Sequence, residues 1–380
     1  NWLWEYFDDE AAVADFYDPV KAHVAYMTAQ APAAGACPNG GSDWGDWCPP
    51  CGVAPNVSCG CGGVDDKHVV CFHYLSAVRI LATWARALGE ADDAAAFGAL
   101  FDSVEADFKA AFANATGYGS QTVNALALAL GAHDANAAEA AALVNLTAAS
   151  IGAAGGHFDT GIVGLKYLLP TLSERGRADA ALAAAAAPDY PGFGHMLAQG
   201  ATTLWEVMEG TQYMPGGSGA NNQTSWNHIM FGSVGQWMQE HVAGVRLAPS
   251  ARRARPGARG WQLIVVDPSV LRGAAAASSC AALGGAASAS EATPRGLVAV
   301  AWRCGDGGVS LDVTIPPGST AEVVLPVGDA FGTAAAESGA PVWSDGAFVA
   351  GVDGVYAGSA QADGSVTLEI GSGNYSFTVA

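Results

Sequence analysis

The sequence predicts an α+β multidomain chain: a helical domain over residues 1–245, then an antiparallel β-sandwich over residues 246–380. Two observations carry this prediction. Up to about residue 245, apolar residues recur at three-to-four spacing among many alanines, the best helix former. Beyond it the period falls to two, and short Val/Ile/Leu/Thr runs alternate with Gly and Pro turns. A connector rich in Pro, Arg and Gly, from Ala248 to Gly260, separates the two regimes.

Taken in order, the periodicity predicts helices at about 10–29, 68–88, 92–113, 121–131, 135–150, 160–172, 174–187, 203–209 and 228–242. The intervening stretches 37–65, 188–201 and 210–227 are long, rich in Gly, Pro and aromatics, and so are where function is expected to sit on a helical scaffold. Strands are predicted at Trp261–Val266, Leu297–Trp302, Val309–Ile315, Ala321–Leu325, Val366–Ile370 and Tyr375–Val379. The Ala-rich piece from Gly273 to Ala292 reads as a loop. The opening residues Asn1–Phe7 resemble the inside of a helix, and there is no initiator Met, so further sequence is expected upstream.

With 380 residues and 51% hydrophobic content, the chain is long enough to bury a sizeable core. Thirty-six acidic residues against sixteen basic ones give a net charge of −20, which disfavours nucleic acid and anionic membrane surfaces as partners. No apolar run approaches the roughly 18 residues of a membrane span. Five Asn-x-Ser/Thr sites, at Asn56, Asn114, Asn145, Asn222 and Asn374, and an even eight cysteines point to an extracellular or secretory location. Cys280 and Cys304 flank a predicted strand and are expected to pair, whereas the pairing of the other six is open. Cys48-x-x-Cys51 with Cys59-x-Cys61 resembles a zinc site, but the second pair is spaced too closely, and disulfides are the favoured reading.

Gln199-Gly-Ala-Thr-Thr-Leu-Trp-Glu206 sets a carboxylate beside an indole after a glycine turn, an arrangement suited to a glycosidase base. The same residues fit a capping box, with Thr203 capping a helix and Glu206 reaching back to its amide. Trp44-Gly-Asp-Trp47 offers indole faces for a sugar's C–H side and a carboxylate for its hydroxyls, with core packing as the plainer use. Trp226-Asn-His228 combines an indole with polar groups, against a plain reading as a capping Asn and a satisfied His. Gln121, Asn124 and His157 are polar residues for which capping or internal pairing is the simpler role.

Three ordered runs carry a family resemblance: Gly156-His-Phe-Asp-Thr-Gly-Ile-Val-Gly-Leu-Lys-Tyr-Leu-Leu-Pro170, Gly194 to Glu206, and Ser225-Trp-Asn-His-Ile-Met-Phe-Gly-Ser-Val-Gly235. With Gly45-Asp-Trp47 and Gln121–Leu128, they resemble the bacterial-type alpha-L-rhamnosidases of glycoside hydrolase family 78. That resemblance implies an (alpha/alpha)6 barrel followed by a β-sandwich. It also implies inverting hydrolysis of terminal α-L-rhamnosides on a small-molecule or oligosaccharide substrate, with no cofactor and no metal. Glu206 stands at the position of the family's base. The resemblance gives Asp46 and Trp47 a share in the sugar pocket, makes Trp205 its wall, and has His228 bind a rhamnose hydroxyl.

The chain also departs from the family pattern. No stretch matches the family's acid motif, in which Asp-Cys-Pro and Arg precede the acidic residue, and Asp46-Trp-Cys-Pro49 lacks both the Arg and the following acid. About nine helices are readable where such a barrel has twelve, so the barrel is expected to be incomplete at its N-terminus, with the general acid outside this chain. Val207 stands where the family commonly has Arg after the base. The chain alone is therefore expected to be a weak enzyme or an inactive one. The alternative is a non-catalytic carbohydrate-binding fragment or pseudoenzyme.

Overall fold

The computed structural model describes residues 1–38, 45–51, 63–64, 66–114, 117–209, 225–248 and 258–380. Trp44, Asn56, Cys59, Cys61 and Asn222 lie outside the described residues. Contacts divide the chain into two units, one of Ala14–Val234 and one of Asn1–Val13 with Gly235–Ala380.

In the first unit the long helices follow the apolar periodicity closely: α2 (Glu10–Ala29, entering from the second unit), α3 (Asp66–Leu88), α4 (Ala91–Phe112), α5 (Gln121–Leu130), α6 (Ala137–Ala153), α7 (Ile162–Glu174) and α8 (Ala178–Ala185). Helix α3 packs on α4, and α5 on α7, in the paired manner of a hairpin barrel. Local chemistry sets the ends. Ser120 caps α5 by accepting from the Val123 amide at 3.2 Å, and Gly131 closes it in the left-handed region at φ 70°. Asn136 caps α6 by accepting from Ala138 and Glu139. The core is aliphatic and aromatic, with Phe72, Leu75, Leu81, Phe108, Leu126 and Leu165 fully enclosed. Cys37 and Cys71 form a disulfide that ties the end of the α2 segment to α3.

Three helical expectations change. No helix forms over 203–209; the segment is bent and turned. Its backbone instead pairs at a distance, the Glu206 amide donating to Ser225 O at 2.9 Å and the His228 amide to Leu204 O at 2.8 Å. Thr203 donates its hydroxyl to Trp226 O, and the Glu206 carboxylate does not return to the Thr203 amide. The capping box is therefore not built, because long-range pairing overrides a weak local preference in a Thr/Trp/Val-containing stretch. A short helix absent from the expected set, α9 (Phe193–Ala198), lies within what reads as a loop. The predicted helix at 228–242 is a run of changing pitch: a 3₁₀ turn over Ile229–Gly232, α10 (Ser233–Trp237) and a π turn over Met238–Ala243.

The second unit carries α1 (Trp2–Phe7) and two sheets. Strands β3 (Val245–Leu247), β4 (Leu263–Val266), β8 (Thr320–Leu325), β13 (Val366–Ile370) and β12 (Val355–Ala360) form one sheet, in the order β12-β13-β8-β4-β3. The other has the order β11-β10-β9-β14-β7-β6-β5, built from β5 (Ala286–Thr293), β6 (Gly296–Gly305), β7 (Gly308–Ile315), β9 (Ala335–Glu337), β10 (Ala340–Ser344), β11 (Ala347–Phe348) and β14 (Gly373–Val379). Neighbours are antiparallel except β4 and β8, which run parallel. Period-two alternation buries one row per strand, as in Val309, Leu311, Val313 and Ile315 of β7 and Ala321, Val323 and Leu325 of β8.

The expected loop over 273–292 is instead helix α11 (Ala276–Ala282) followed by β5. Alanine gives β5 little intrinsic strand preference, and the ladder with β6 from Ala286↔Arg303 to Thr293↔Gly296 supplies what its side chains lack. The expected Cys280–Cys304 disulfide forms at 2.06 Å and joins α11 to β6. At the chain start, Arg259 donates to Asp8 at 2.7 Å and lies over the Trp4 ring at 4.4 Å. The Gly260 amide donates to Glu5 O at 2.8 Å. These contacts hold α1 in the sheet-bearing unit.

Candidate active site

A cavity of about 630 Å³ opens in the helical unit, with Trp47, His228, His23, His73, Tyr74 and Met230 on its wall. Helices α2 and α3 and the start of α7 supply most of the remaining lining, largely apolar. Of the residues singled out from sequence, Trp47 and His228 face this space.

Trp47 is positioned from below by Asp46. The two form strand β1 (Asp46–Trp47), paired with β2 (Gly63–Val64). Asp46 is wholly enclosed at 0% exposure. Its carboxylate accepts from the amides of Gly161 at 2.7 Å, Val163 at 2.9 Å and Gly164 at 3.0 Å, and from the Thr122 hydroxyl. Helix α7 has no side-chain cap of its own, since its N-cap residue is Gly161, so a carboxylate more than a hundred residues away satisfies the orphaned donors. Burial pushes the Asp46 pKa up, against the hydrogen bonds from Thr122, Gly164, Gly161 and Val163, which favour the ionised form. The structure thus shows Asp46 as an anchor under Trp47, with its oxygens turned into the protein.

That anchor explains two glycines of the Thr160-Gly-Ile-Val-Gly164 run. A Cβ on Gly161 would strike the Trp47 carbonyl oxygen and come within 2.7 Å of Asp46 Oδ1. One on Gly164 would strike the Thr122 hydroxyl and come within 2.8 Å of Asp46 Oδ2. Only hydrogen at these two positions lets the α7 N-terminus close on β1.

Glu206 is held by the segment that starts at Ser225. Its Oε2 accepts from the Ser225 amide at 2.8 Å, and its Oε1 lies 3.9 Å from His228 Nε2. Its side chain keeps 23% exposure, so the carboxylate is fixed and still reachable. His228 Nδ1 is enclosed and has no hydrogen-bond partner among the described residues, unlike the satisfied His of the plain reading. Trp205 is buried at 4% exposure and packs on Trp226, ring centres 5.1 Å apart and tilted by 51°. The more exposed indole of the pair is Trp226, at 49%. Val207 is enclosed, and Glu209, the next acidic residue, is engaged by the Cys51 amide at 2.5 Å and the Tyr190 hydroxyl at 2.7 Å.

The other polar candidates are used internally. Gln121 accepts from the Asp159 amide at 3.1 Å, and Asn124 from the Tyr118 amide at 2.7 Å. His157 reaches Pro191 O at 2.8 Å and Asp189 at 3.3 Å. Cys48 is disulfide-bonded, which removes one thiolate from the zinc alternative. No group of three or more potential metal ligands occurs among the described residues.

Sequence reasoning did not single out His23 and His73. They sit on helices with ordinary apolar spacing, and only the assembled cavity shows that both line it together with Trp47. Burial, then the charge of Lys166, hold the His73 imidazole below its usual pKa. Chemically, the site offers one positioned carboxylate, a nearby imidazole, an indole face and neutral hydrogen-bonding groups. Among the described residues, no carboxylate lines the cavity wall itself.

Comparison with known proteins agrees with this architecture. The profile of the bacterial alpha-L-rhamnosidase 6 hairpin glycosidase domain matches residues 1–242, and that of the bacterial alpha-L-rhamnosidase C-terminal domain matches residues 253–338. An alpha-L-rhamnosidase of Streptomyces avermitilis is 28% identical over 379 residues, covering 99% of this chain and 32% of that protein. One from Formosa agariphila is 29% identical over 261 residues, covering 67% and 25%. The crystal structure of a Streptomyces avermitilis alpha-L-rhamnosidase complexed with L-rhamnose superposes with a TM-score of 0.75 at 26% identity, over 100% of this chain and 32% of that one. The alpha-L-rhamnosidase from Dictyoglumus thermophilum, at 24% identity and a TM-score of 0.77, covers 99% and 38% and shares the fold. The chain therefore spans about a third of the length of such relatives. It belongs to the bacterial alpha-L-rhamnosidase six-hairpin glycosidase family.

Proposed function

We propose that this chain carries the base half of a site that hydrolyses terminal non-reducing α-L-rhamnosides with inversion. The observation that carries the reading is Glu206, fixed by the Ser225 amide and 3.9 Å from His228, which in turn lines the cavity with Trp47. Glu206 takes a proton from water as the water's oxygen bonds to the anomeric carbon. The glycosidic bond breaks on the opposite face, and a general acid outside this chain delivers a proton to the leaving oxygen.

The test is release of p-nitrophenol from its α-L-rhamnoside by this chain and by the full gene product. Glu206→Gln should cost roughly 10²- to 10⁴-fold in kcat, with the fold intact. The first sugar released should be the β-anomer by NMR. Full activity in Glu206→Gln would sink the assignment of the base.

A second reading, a carbohydrate-binding fragment without turnover, is favoured by the lack of a carboxylate on the described cavity wall. Binding of L-rhamnose without hydrolysis in the full gene product would select it. We also propose a secretory location. Asn114, Asn145 and Asn374 are all exposed, and the Cys37–Cys71 and Cys280–Cys304 disulfides, with Cys48 also disulfide-bonded, suit an oxidising compartment. A glycosidase-sensitive mass shift of the native protein is its check.

A further inference from the structure

We infer that His73 is a specificity-determining residue that binds a hydroxyl of the sugar held between Trp47 and His228. The inference deepens the proposed function and rests on the cavity being the sugar pocket. Its basis is the hydrogen-bonding capacity the protein itself leaves unused there. Four side chains with ring nitrogens or hydroxyls face the cavity besides the Trp47 indole: His23, His73, Tyr74 and His228. Tyr74 shares a 2.7 Å hydrogen bond with Thr28, and His228 faces Glu206. The ring nitrogens of His23 and His73 have no hydrogen-bond partner among the described residues.

The two are not equivalent. His73 stands among anchored neighbours on α3. Its neighbour Cys71 is tied by disulfide to Cys37, Tyr74 is tied to Thr28, and Phe72 meets both the His73 ring at 5.3 Å and the Tyr167 ring at 4.7 Å. His23 has no ring contact of this kind among the described residues. A pre-positioned group loses less freedom when it binds, so His73 is the one suited to discriminate.

A neutral imidazole presents one donor and one acceptor. Burial and the charge of Lys166 lower the His73 pKa and so favour that neutral form. The group that satisfies both demands in turn is a hydroxyl, itself donor and acceptor. The apolar wall of Val69, Val70, Ile162 and Val163 around it suits the C–H faces of a deoxy sugar. A site built to pair with a hydroxyl rejects the analogue that lacks it, because its own polar group is then left unpaired.

The experiment is a calorimetric titration of the chain with L-rhamnose and with the monodeoxy analogues that each lack one hydroxyl. His73→Phe should weaken L-rhamnose binding about tenfold, and His73→Gln, which keeps a donor and an acceptor, should retain most of the affinity. For one deoxy analogue, His73→Phe should cost nothing further, which locates the contact. Equal Kd values for wild type and His73→Phe, or equal losses across all analogues, would overturn the inference. The wild-type His73 Hε1 resonance gives a reading that needs no variant: it should shift on addition of L-rhamnose, and no shift overturns the proposal. Hydrolysis assayed on the full gene product judges the proposed function separately. Rhamnose binding that depends on His73, without turnover by the full gene product, would defeat the hydrolase reading and support this one.

Discussion

Replacing Asp46 by Asn tests whether this residue builds the pocket or touches the sugar. Four donors converge on its two oxygens, Val163 and Gly164 on Oδ1, Thr122 and Gly161 on Oδ2. Asn keeps one oxygen and offers an NH₂ where the other stood. The least costly placement sets that NH₂ at the Oδ2 position, where the Thr122 hydroxyl turns to accept from it and only the Gly161 amide is orphaned. One buried donor left unpaired costs about 1–3 kcal/mol. The opposite placement orphans the Gly164 amide and the half-buried Val163 amide and costs more. The expected loss is therefore about 1–3 kcal/mol, concentrated at the first turn of α7. Hydrogen exchange of the Gly161, Val163 and Gly164 amides should speed up by about 5- to 150-fold, at 1.36 kcal/mol per factor of ten. Urea unfolding of the helical unit should show a lower midpoint at an unchanged slope. Unchanged exchange and midpoint together with lost sugar binding would refute this reasoning and return Asp46 to the role of a sugar ligand.

Gly164→Ala puts a methyl group onto the Thr122 hydroxyl and within 2.8 Å of Asp46, and should destabilise the unit by about 1–3 kcal/mol in thermal or urea unfolding. His241, wholly enclosed, has its pKa depressed to about 3 by burial and then by Arg246. The folded protein keeps it neutral while the unfolded chain protonates below about 6.5. Its contribution is thus complete above pH 6.5 and is lost as the pH falls toward 3, by up to about 1.4 kcal/mol per pH unit. His241→Gln should flatten the stability slope between pH 6.5 and 5, measured by urea unfolding at each pH. Removing the Cys280–Cys304 disulfide, which closes a separation of 24 residues, should cost about 3.5 kcal/mol on the loop-entropy estimate and lower the Tm of the sheet-bearing unit.

What could be read from the chain follows from how local each feature is. Helices α2 to α5 announce themselves because their apolar spacing and capping residues, such as Ser120 and Gly131, lie within the element itself. Strand β5 does not, because Ala-Ala-Ser-Ala carries no strand signal and becomes a strand only through its ladder with β6. The same division holds in the site. The ordered motifs pick out Glu206, Trp47 and His228, but the sequence cannot say that Glu206 is fixed by Ser225 and not by a capping box on Thr203.

The sequence by itself determined the order of a helical domain and a β domain, the family, the Cys280–Cys304 pair and the carboxylate on which the proposed chemistry turns. The tertiary structure alone decided that Asp46 caps a helix begun more than a hundred residues later, that Gly161 and Gly164 must be glycine to admit it, and that His73 and Trp47 line one cavity. The physical reason is range. Periodicity, turns and caps are set by neighbours in the chain, whereas the partner of a buried charge and the lining of a cavity are set by whichever residues the packed helices bring together.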